Sequence, residues 1–287
     1  MVGADRDRLR RAFRLPQAAE APTPELEAQA QARPEVRAFL QARLRQLAAA
    51  PRPKVELPAG DEVTHGAVRC WRRLQRHAFD HVHGVVRLGD AQQLDGNVLA
   101  RRAKQPDLAS LSLDQCLFLD TETTGLSGGA GTIVFNVGMA FVEGGEIVVE
   151  QLLMRHFEEE PALLAQVGAR LAEHPVLVTY VGKTFDRHRL AARMALHRLP
   201  TDMLRDEHLD LYHVARREWR TQLPDCRLRT VEQRILGLHR EDDLPGSEAP
   251  RAFLDWVRDQ SGPLDRVLEH NRLDVLSVVA LLAVLGR

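Results

Sequence analysis

The arrangement of apolar and polar positions divides the chain near residue 113. After Leu113 short apolar runs alternate with turn signals. Cys116 to Leu119 reads as a central strand buried on both faces, and Thr132 to Val142 and Glu146 to Leu153 read as two strands joined at Gly144-Gly145. These three strands make a meander. Helical spacing follows an acidic lead-in over Pro161 to Ala172, Val176 to Tyr180 is a further short strand, and Phe185-Asp186 opens a helix reaching about His197. After His208 to Tyr212 the remainder is largely helical, closing with a long helix over Pro263 to Leu285. The order describes an α/β domain over residues 114–287.

Before it the pattern is weaker. Residues 1–60 carry Pro16, Pro22, Pro24, Pro34, Pro51, Pro53 and Pro58 among Ala, Arg, Gln and Glu, which allows short helices such as Pro34 to Ala49. The expectation is a partly ordered, helical N-terminal arm. Residues 61–113 gain Trp71, Phe79 and the run Val85 to Leu88, and are expected to form a small segment that docks on the domain. His65, His77, His81 and His83 fall here without cysteine partners, so packing or surface roles are expected for them.

Composition narrows the class. With 287 residues, 44% of them hydrophobic, the chain can bury a sizeable core. Its longest apolar run, Val275 to Leu285, is too short to span a bilayer, and Met1 to Arg14 lacks a hydrophobic signal core. No membrane partner and a cytoplasmic location are expected. Cys70, Cys116 and Cys226 are odd in number and widely spaced, arguing against a disulfide framework or zinc ribbon. A formal net charge of −1 gives no global field, so a nucleic acid would have to be held by a local patch.

The candidate chemistry is carried by acids at strand ends. Asp120 and Glu122 close the first strand of the domain and, two residues apart, project to the same side. Asp186 follows the Val176 strand, and Asp274 lies in the last helix directly before Val275 and Leu276, where a carboxylate needs a cation or a hydrogen-bond partner. His270, four residues earlier, shares its face and could take a proton from a water. Four carboxylates and one base suit a pair of hard cations about 3.5–4 Å apart, acting on a phosphodiester. A structural salt bridge to an arginine is the competing expectation for Asp274.

Asp120-x-Glu122, Phe185-Asp186 and His270-x-x-x-Asp274 resemble the three exonuclease motifs of the DEDD (DnaQ-like) superfamily of 3′–5′ exonucleases, whose fold is ribonuclease H-like. Within it the chain looks most like the YprB-type ribonuclease H-like proteins, through Phe118 to Gly131, Tyr180 to Asp186, His208 to Leu211, Arg216-Arg217-x-Trp219, Cys226 to Leu228 with Thr230 to Glu232, Asp242 to Gly246 and His270 to Ser277. The resemblance covers about residues 60–287. It implies a mixed sheet flanked by helices, with Asp120, Glu122, Asp186 and Asp274 as ligands of two Mg2+ or Mn2+ and His270 as general base. It also places Thr123, Thr124 and Leu126 at the terminal nucleotide of a DNA or RNA 3′ end. Two motifs depart from the family: in the second, Val181 stands where Asn is usual and His188 where Pro is frequent, and the third has the four-residue spacing of the tyrosine branch but a histidine, His270, at that place.

Secondary candidates remain. Lys183 could contact substrate phosphate or cap a loop, and Arg216, Arg217, Arg227 and Arg229 could neutralise phosphates or pair with nearby acids. His208 and Asp210 could support the acids from outside. Gly128 to Gly131 could let a base approach the backbone or simply connect strands. Trp71, Trp219 and Trp256 could stack on bases but fit a core equally well. The functions left open are a metal-dependent exonuclease on single-stranded nucleic acid, a non-catalytic nucleic-acid-binding protein on the same fold, and a phosphatase for small phosphate esters.

Overall fold

Alternation along one strand sets the architecture. In β5 (Cys116–Thr123) Cys116 and Phe118 face one side of a sheet and Leu117 and Leu119 the other, and all four are buried. A strand apolar on both faces has to be covered on both. The computed structural model describes residues 53–125, 132–183, 185–204 and 208–287. Lys54–Arg287 form one compact unit.

Seven strands among the described residues make the main sheet: β1 (Asp61–His65), β2 (Val68–Ala78), β5, β6 (Val134–Glu143), β7 (Glu146–Leu153), β8 (Val176–Thr179) and β9 (His208–Asp210). Their order is β1-β2-β7-β6-β5-β8-β9, antiparallel as far as β5 and parallel through β5, β8 and β9. The sheet is therefore mixed. A two-stranded hairpin, β3 (Val82–His83) with β4 (Val86–Arg87), lies beside it in sequence.

On one face Phe118, Ala140, Val149, Val178 and Leu209 pack against α1 (Gly96–Ala103), α4 (Leu211–Trp219) and the body of α7 (Leu264–Leu285). On the other, Leu117, Leu119, Met139 and Leu152 pack against α2 (Glu160–Glu173), α3 (Asp186–Leu196) and α6 (Ala249–Asp259). This is the helix-flanked mixed sheet expected. The meander runs β5-β6-β7, and the helix starts at Asp186 and Leu264 fall within a residue of those read from the sequence. Trp71, Trp219 and Trp256 are buried in the core.

β1, β2 and α1 went unread, β2 for the plainest reason. β2 carries Arg69, Arg72, Arg73 and Arg76 over its 11 residues, a composition that hides strand alternation. Pairing explains it: Arg72 binds Asp61 on β1 at 2.6 Å, while Arg76 pairs with Glu143 and, at 3.5 Å, with Glu146 on the β6–β7 side. Charges opposed across strands stabilise a register that no single strand displays. The N-terminal arm over residues 1–52, Leu126, and the Gly128–Gly131 loop lie outside the described residues.

A carboxylate site at the end of the central strand

Because Asp120 and Glu122 have the parity of Cys116 and Phe118, both face α7. Thr121 faces the other way. Asp186, the first residue of α3, comes from that opposite side and accepts a hydrogen bond from Thr121 Oγ1. The carboxylates thus meet around the carboxyl end of β5, where open α/β sheets build their sites.

The α7 side is held by amides. Asn271 Nδ2 donates to Asp120 Oδ2 at 2.8 Å, while Asn271 Oδ1 accepts from Gln151 Nε2 at 3.1 Å, an amide that also donates to Leu268 O at 2.7 Å. This chain of donors orients Asp120. Gly138 sits opposite Asp120 on β6, and a Cβ there would lie 2.2 Å from Asn271 Oδ1, so only glycine lets α7 come this close. Asn136, opposite Glu122, is fully buried, and neither its Nδ2 nor its Oδ1 has a partner among the described residues. A buried amide with unused donor and acceptor needs a further polar group.

Electrostatics distinguishes these acids from ordinary surface carboxylates. Loss of water, followed by the charges of Asp274, Glu122 and Asp186, pushes Asp120 well above the usual range. Glu122 rises for the same reasons, with Asp274, Asp186 and Asp243 as its neighbours. Asp186 is pushed up to about 6 by burial, moderated by the Thr121 hydroxyl and the Arg189 guanidinium. Repulsion among them disfavours full ionisation.

Asp274 differs. Its Oδ1 lies 2.5 Å from Arg240 Nη2, and Arg240 also pairs with buried Glu232 and, at 3.6 Å, with Asp243. The salt bridge considered for Asp274 is therefore present. Its Oδ2 is 3.7 Å from His270 Nε2, too far for a hydrogen bond. His270 Nδ1 lies 2.7 Å from Asp243 Oδ1 and 3.4 Å from Arg240 Nη1; the carboxylate is the shorter contact and accepts from Nδ1–H, which leaves Nε2 as the ring nitrogen on the Asp274 side. A cavity of about 290 Å³ opens over this corner, lined by Arg229, Glu232, Arg240, Asp243, His270 and Asp274 among others.

A polar chain runs inward from the same corner. Ser277 Oγ donates to Glu232 Oε1 at 2.5 Å and lies 2.8 Å from Nε2 of His83, which burial keeps neutral by lowering it to about 3. That is the role of one of the four clustered histidines. His77 and His81 stack edge to face, with centroids 4.6 Å apart.

The remaining expected residues divide. Thr123 Oγ1 donates to Gly125 O at 2.9 Å, and Thr124 Oγ1 accepts from Ile133 N at 3.1 Å, so both hydroxyls brace the turn after the strand. Asp210 Oδ1 accepts from Val181 N at 2.9 Å and Oδ2 from Lys183 N at 3.0 Å, which ties down the loop leading to Asp186. Val181 adopts φ 69°, a conformation that β-branched residues rarely take and asparagine tolerates. Gly182 is needed beside it, since a Cβ would approach Thr179 Oγ1 to 2.5 Å and Asp186 Oδ2 to 2.8 Å. Asp243, Arg240, Asn271, Gln151 and Asn136 were not read from the sequence as site residues. Asp243 lay within the Asp242-Asp243-Leu244-Pro245-Gly246 stretch, but its pairing with His270 depends on the fold.

Whether these side chains suit a cation is decided by donor chemistry. Crowded oxygen donors with raised proton affinity, beside an amide with unused atoms, are what a hard dication relieves. Among the described residues, however, no three His, Cys, Asp or Glu side chains are already arranged to hold an ion. The donors fit in kind, and the Arg240–Asp274 pair is the contact that competes with a cation.

Fold and sequence place the chain in a known class. Residues 117–285 match the model of the RNase_H superfamily, and the chain belongs to that family. It is 35% identical over 207 residues to a Bacillus subtilis (strain 168) protein, uncharacterized protein YprB; the match covers 71% of this chain and 48% of that one. The chain thus spans about half the length of this relative. A family B DNA polymerase from the hyperthermophilic archaeon Pyrobaculum calidifontis aligns with a TM-score of 0.44 and 16% identity, over 58% of this chain and 24% of the polymerase. Among the described residues no helix is long and apolar enough to cross a membrane.

Proposed function

We propose that the protein is a divalent-metal-dependent exonuclease of the DEDD type, hydrolysing phosphodiester bonds from the 3′ end of single-stranded nucleic acid in the cytoplasm. The observation that carries this reading is the crowding of Asp120, Glu122 and Asp186 at the end of β5, where burial raises all three and the charges of Asp186 and Asp274 raise Asp120 and Glu122 further. Asp120, Glu122, Asp186 and Asp274 would hold the cations, two Mg2+ or Mn2+. When bound, such cations polarise the phosphoryl oxygens and acidify water.

The chain's own groups supply the rest. Asp243 keeps the His270 Nδ1 proton in place, so Nε2 is the atom that accepts a proton from the attacking water. Asn271, steadied by Gln151, fixes the direction of Asp120. Arg229 lines the cavity beside His270, in position to neutralise a phosphate. Thr123 and Thr124 brace the turn against which the terminal nucleotide rests, the family resemblance adds Leu126 as a further contact, and Asp210 holds Lys183 at the approach to Asp186.

The test is degradation of end-labelled DNA and RNA oligonucleotides with Mg2+ or Mn2+. Wild-type protein should shorten one of them from the 3′ end. Asp120→Ala and Asp186→Ala should each lower the rate about 10³-fold, because a ligand to a catalytic cation supports several kcal/mol of transition-state stabilisation. Activity surviving both substitutions would sink the assignment. A non-catalytic nucleic-acid-binding protein is the second reading, favoured by Arg240 already neutralising Asp274. Oligonucleotide binding without turnover across several metals and both polymers would establish it instead.

A further inference from the structure

The chain is nearly neutral overall, yet one face of α4 is uniformly basic. His213, Arg216, Arg217 and Arg220 recur at helical spacing, opposite the buried stripe of Leu211, Val214, Ala215 and Trp219. Together with Lys104, the left-handed cap of α1, they line a cavity of about 350 Å³ to which no acidic side chain among the described residues contributes. Folding alone accounts for only one of these charges. Arg217 donates from Nε to Arg102 O at 2.7 Å and from Nη2 to Ala103 O at 2.9 Å, closing the carboxyl end of α1 and setting the distance between α1 and α4.

The others have no such account. Lys104, Arg216 and Arg220 are exposed, and among the described residues none is paired with a carboxylate. Among the described residues Arg216 meets the Tyr212 ring, 5.7 Å from its guanidinium carbon. The nearby acids are engaged elsewhere. Glu218 lies 3.6 Å from Arg102, and Asp210 accepts the amides of Val181, Lys183 and Tyr212. Holding unneutralised like charges around one cleft is unfavourable unless an anion enters it.

The cleft also has a direction. His213 and Arg217 line a second cavity, of about 160 Å³, whose wall includes Lys183 and Asp210, the latter's carboxylate being taken up by backbone amides. Lys183 stands three residues before Asp186, in the loop that Asp210 ties down. A row of positive charge therefore leads from the carboxylate corner to Arg220. An isolated phosphate would need one convergent pocket, whereas a connected row suits a chain of phosphates.

We infer that the cleft between α1 and α4 holds the backbone phosphates of a single nucleic-acid strand, on the 5′ side of the end that enters the carboxylate site. The inference rests on the proposed nucleic-acid substrate. Lys183 meets the strand first, and Arg216, Lys104 and Arg220 follow it outward. Contacts of this kind give affinity that depends on strand length and salt and is indifferent to sequence.

The experiment is fluorescence anisotropy of the full chain with labelled oligothymidylate and oligouridylate, in chelator to prevent turnover, across a range of salt concentrations. The variant combines Lys104→Glu, Arg216→Glu and Arg220→Glu, with a neutral version carrying Gln at the same positions and circular dichroism melts to confirm folding. Arg251→Glu on α6 is the control. Charge reversal is expected to weaken binding of the long strands at least about tenfold and to make the log–log salt dependence shallower by about 2, with the Gln version intermediate and the control unchanged. Unchanged affinity and salt slope in folded triple variants overturn the inference, even if the wild-type protein degrades oligonucleotides. Wild-type binding that is lost on reversal, without cleavage under any metal, leaves the cleft standing and removes the exonuclease reading. Poly-glutamate binding as tightly as the oligonucleotide, and equally lost on reversal, overturns it in favour of an acidic protein partner.

Discussion

Two buried acidic clusters in this molecule are built on opposite rules. Glu160, at the start of α2, is gripped by Arg193 through both carboxylate oxygens, with Arg193 Nε 2.6 Å from Oε1, and His197 Nε2 lies 2.7 Å from its Oε2. Glu150 on β7, also buried, accepts from Arg170 at 2.6 Å and from Gln166 at 3.0 Å. Each structural carboxylate has a cation within reach. Asp120 and Glu122 are crowded instead by one another and by Asp186 and Asp274, with an amide as the hydrogen-bond partner of Asp120. Where the fold alone requires a buried acid, it neutralises that acid. Crowded acids left with raised proton affinity mark a place where the charge is to come from outside.

The contrast can be broken most forcefully at Glu160. Arg193→Ala should destabilise the protein by about 3–5 kcal/mol in urea unfolding, because a buried carboxylate loses its principal counter-charge. Added Mg2+ or Mn2+ should not restore that loss. Asp120→Asn should act with the opposite sign and stabilise the metal-free protein at neutral pH, since it removes one of the repelling charges. A destabilising Asp120→Asn would place Asp120 in the structural class.

Divalent cation provides the next largest effect. At a hundredfold excess over its dissociation constant, an ion bound only by the folded state adds about 2.7 kcal/mol. Wild-type protein should gain stability on this scale with Mn2+, and Asp120→Asn and Glu122→Gln should lose most of the gain. The pH dependence carries the same information. Asp186 titrates at about 6 in the folded protein, above an unfolded value near 4, so the folded state binds the extra proton. The Asp186 contribution to metal-free stability is therefore fully present below about pH 4 and is lost as pH rises from there through about 6. Thermal melts in chelator should show that decline, and saturating cation should flatten it.

Val181 offers the smallest and most local probe. A valine at φ 69° carries strain that asparagine tolerates, so Val181→Asn should stabilise the protein by about 1 kcal/mol. The melting temperature measures it directly. A loss of stability would show that the loop tied by Asp210 depends on the valine side chain.

Much of the frame was legible in the chain. The double-sided apolar run of Cys116 to Leu119, the glycine pair between β6 and β7, and the starts of α3 and α7 are local signals in which hydrophobic period and turn chemistry agree. β2 was not legible, because its arginines are balanced only by acids on neighbouring strands. The site was legible in part. Asp120, Glu122 and Asp186 stand at element ends that periodicity locates, Asp274 and His270 share one face of the last helix, and the structure gathers the acids around one strand end and His270 beside Asp274. Asp243, Arg240 and Asn271 reach them from other parts of the chain, and no spacing rule connects Asp243 to His270 or Gln151 to Asn271.

By itself the sequence determined which acids end which elements and the parity that turns Asp120 and Glu122 to one face while Thr121 takes the other. Strand alternation and helical period are short-range properties, settled within a few residues. Only the tertiary structure decided which carboxylates are neutralised. Arg240 lies on Asp274, Arg193 on Glu160, and among the described residues no arginine on Asp120 or Glu122. That choice depends on which long side chains the packed helices bring within a few ångströms, at separations in the chain that local pattern cannot register.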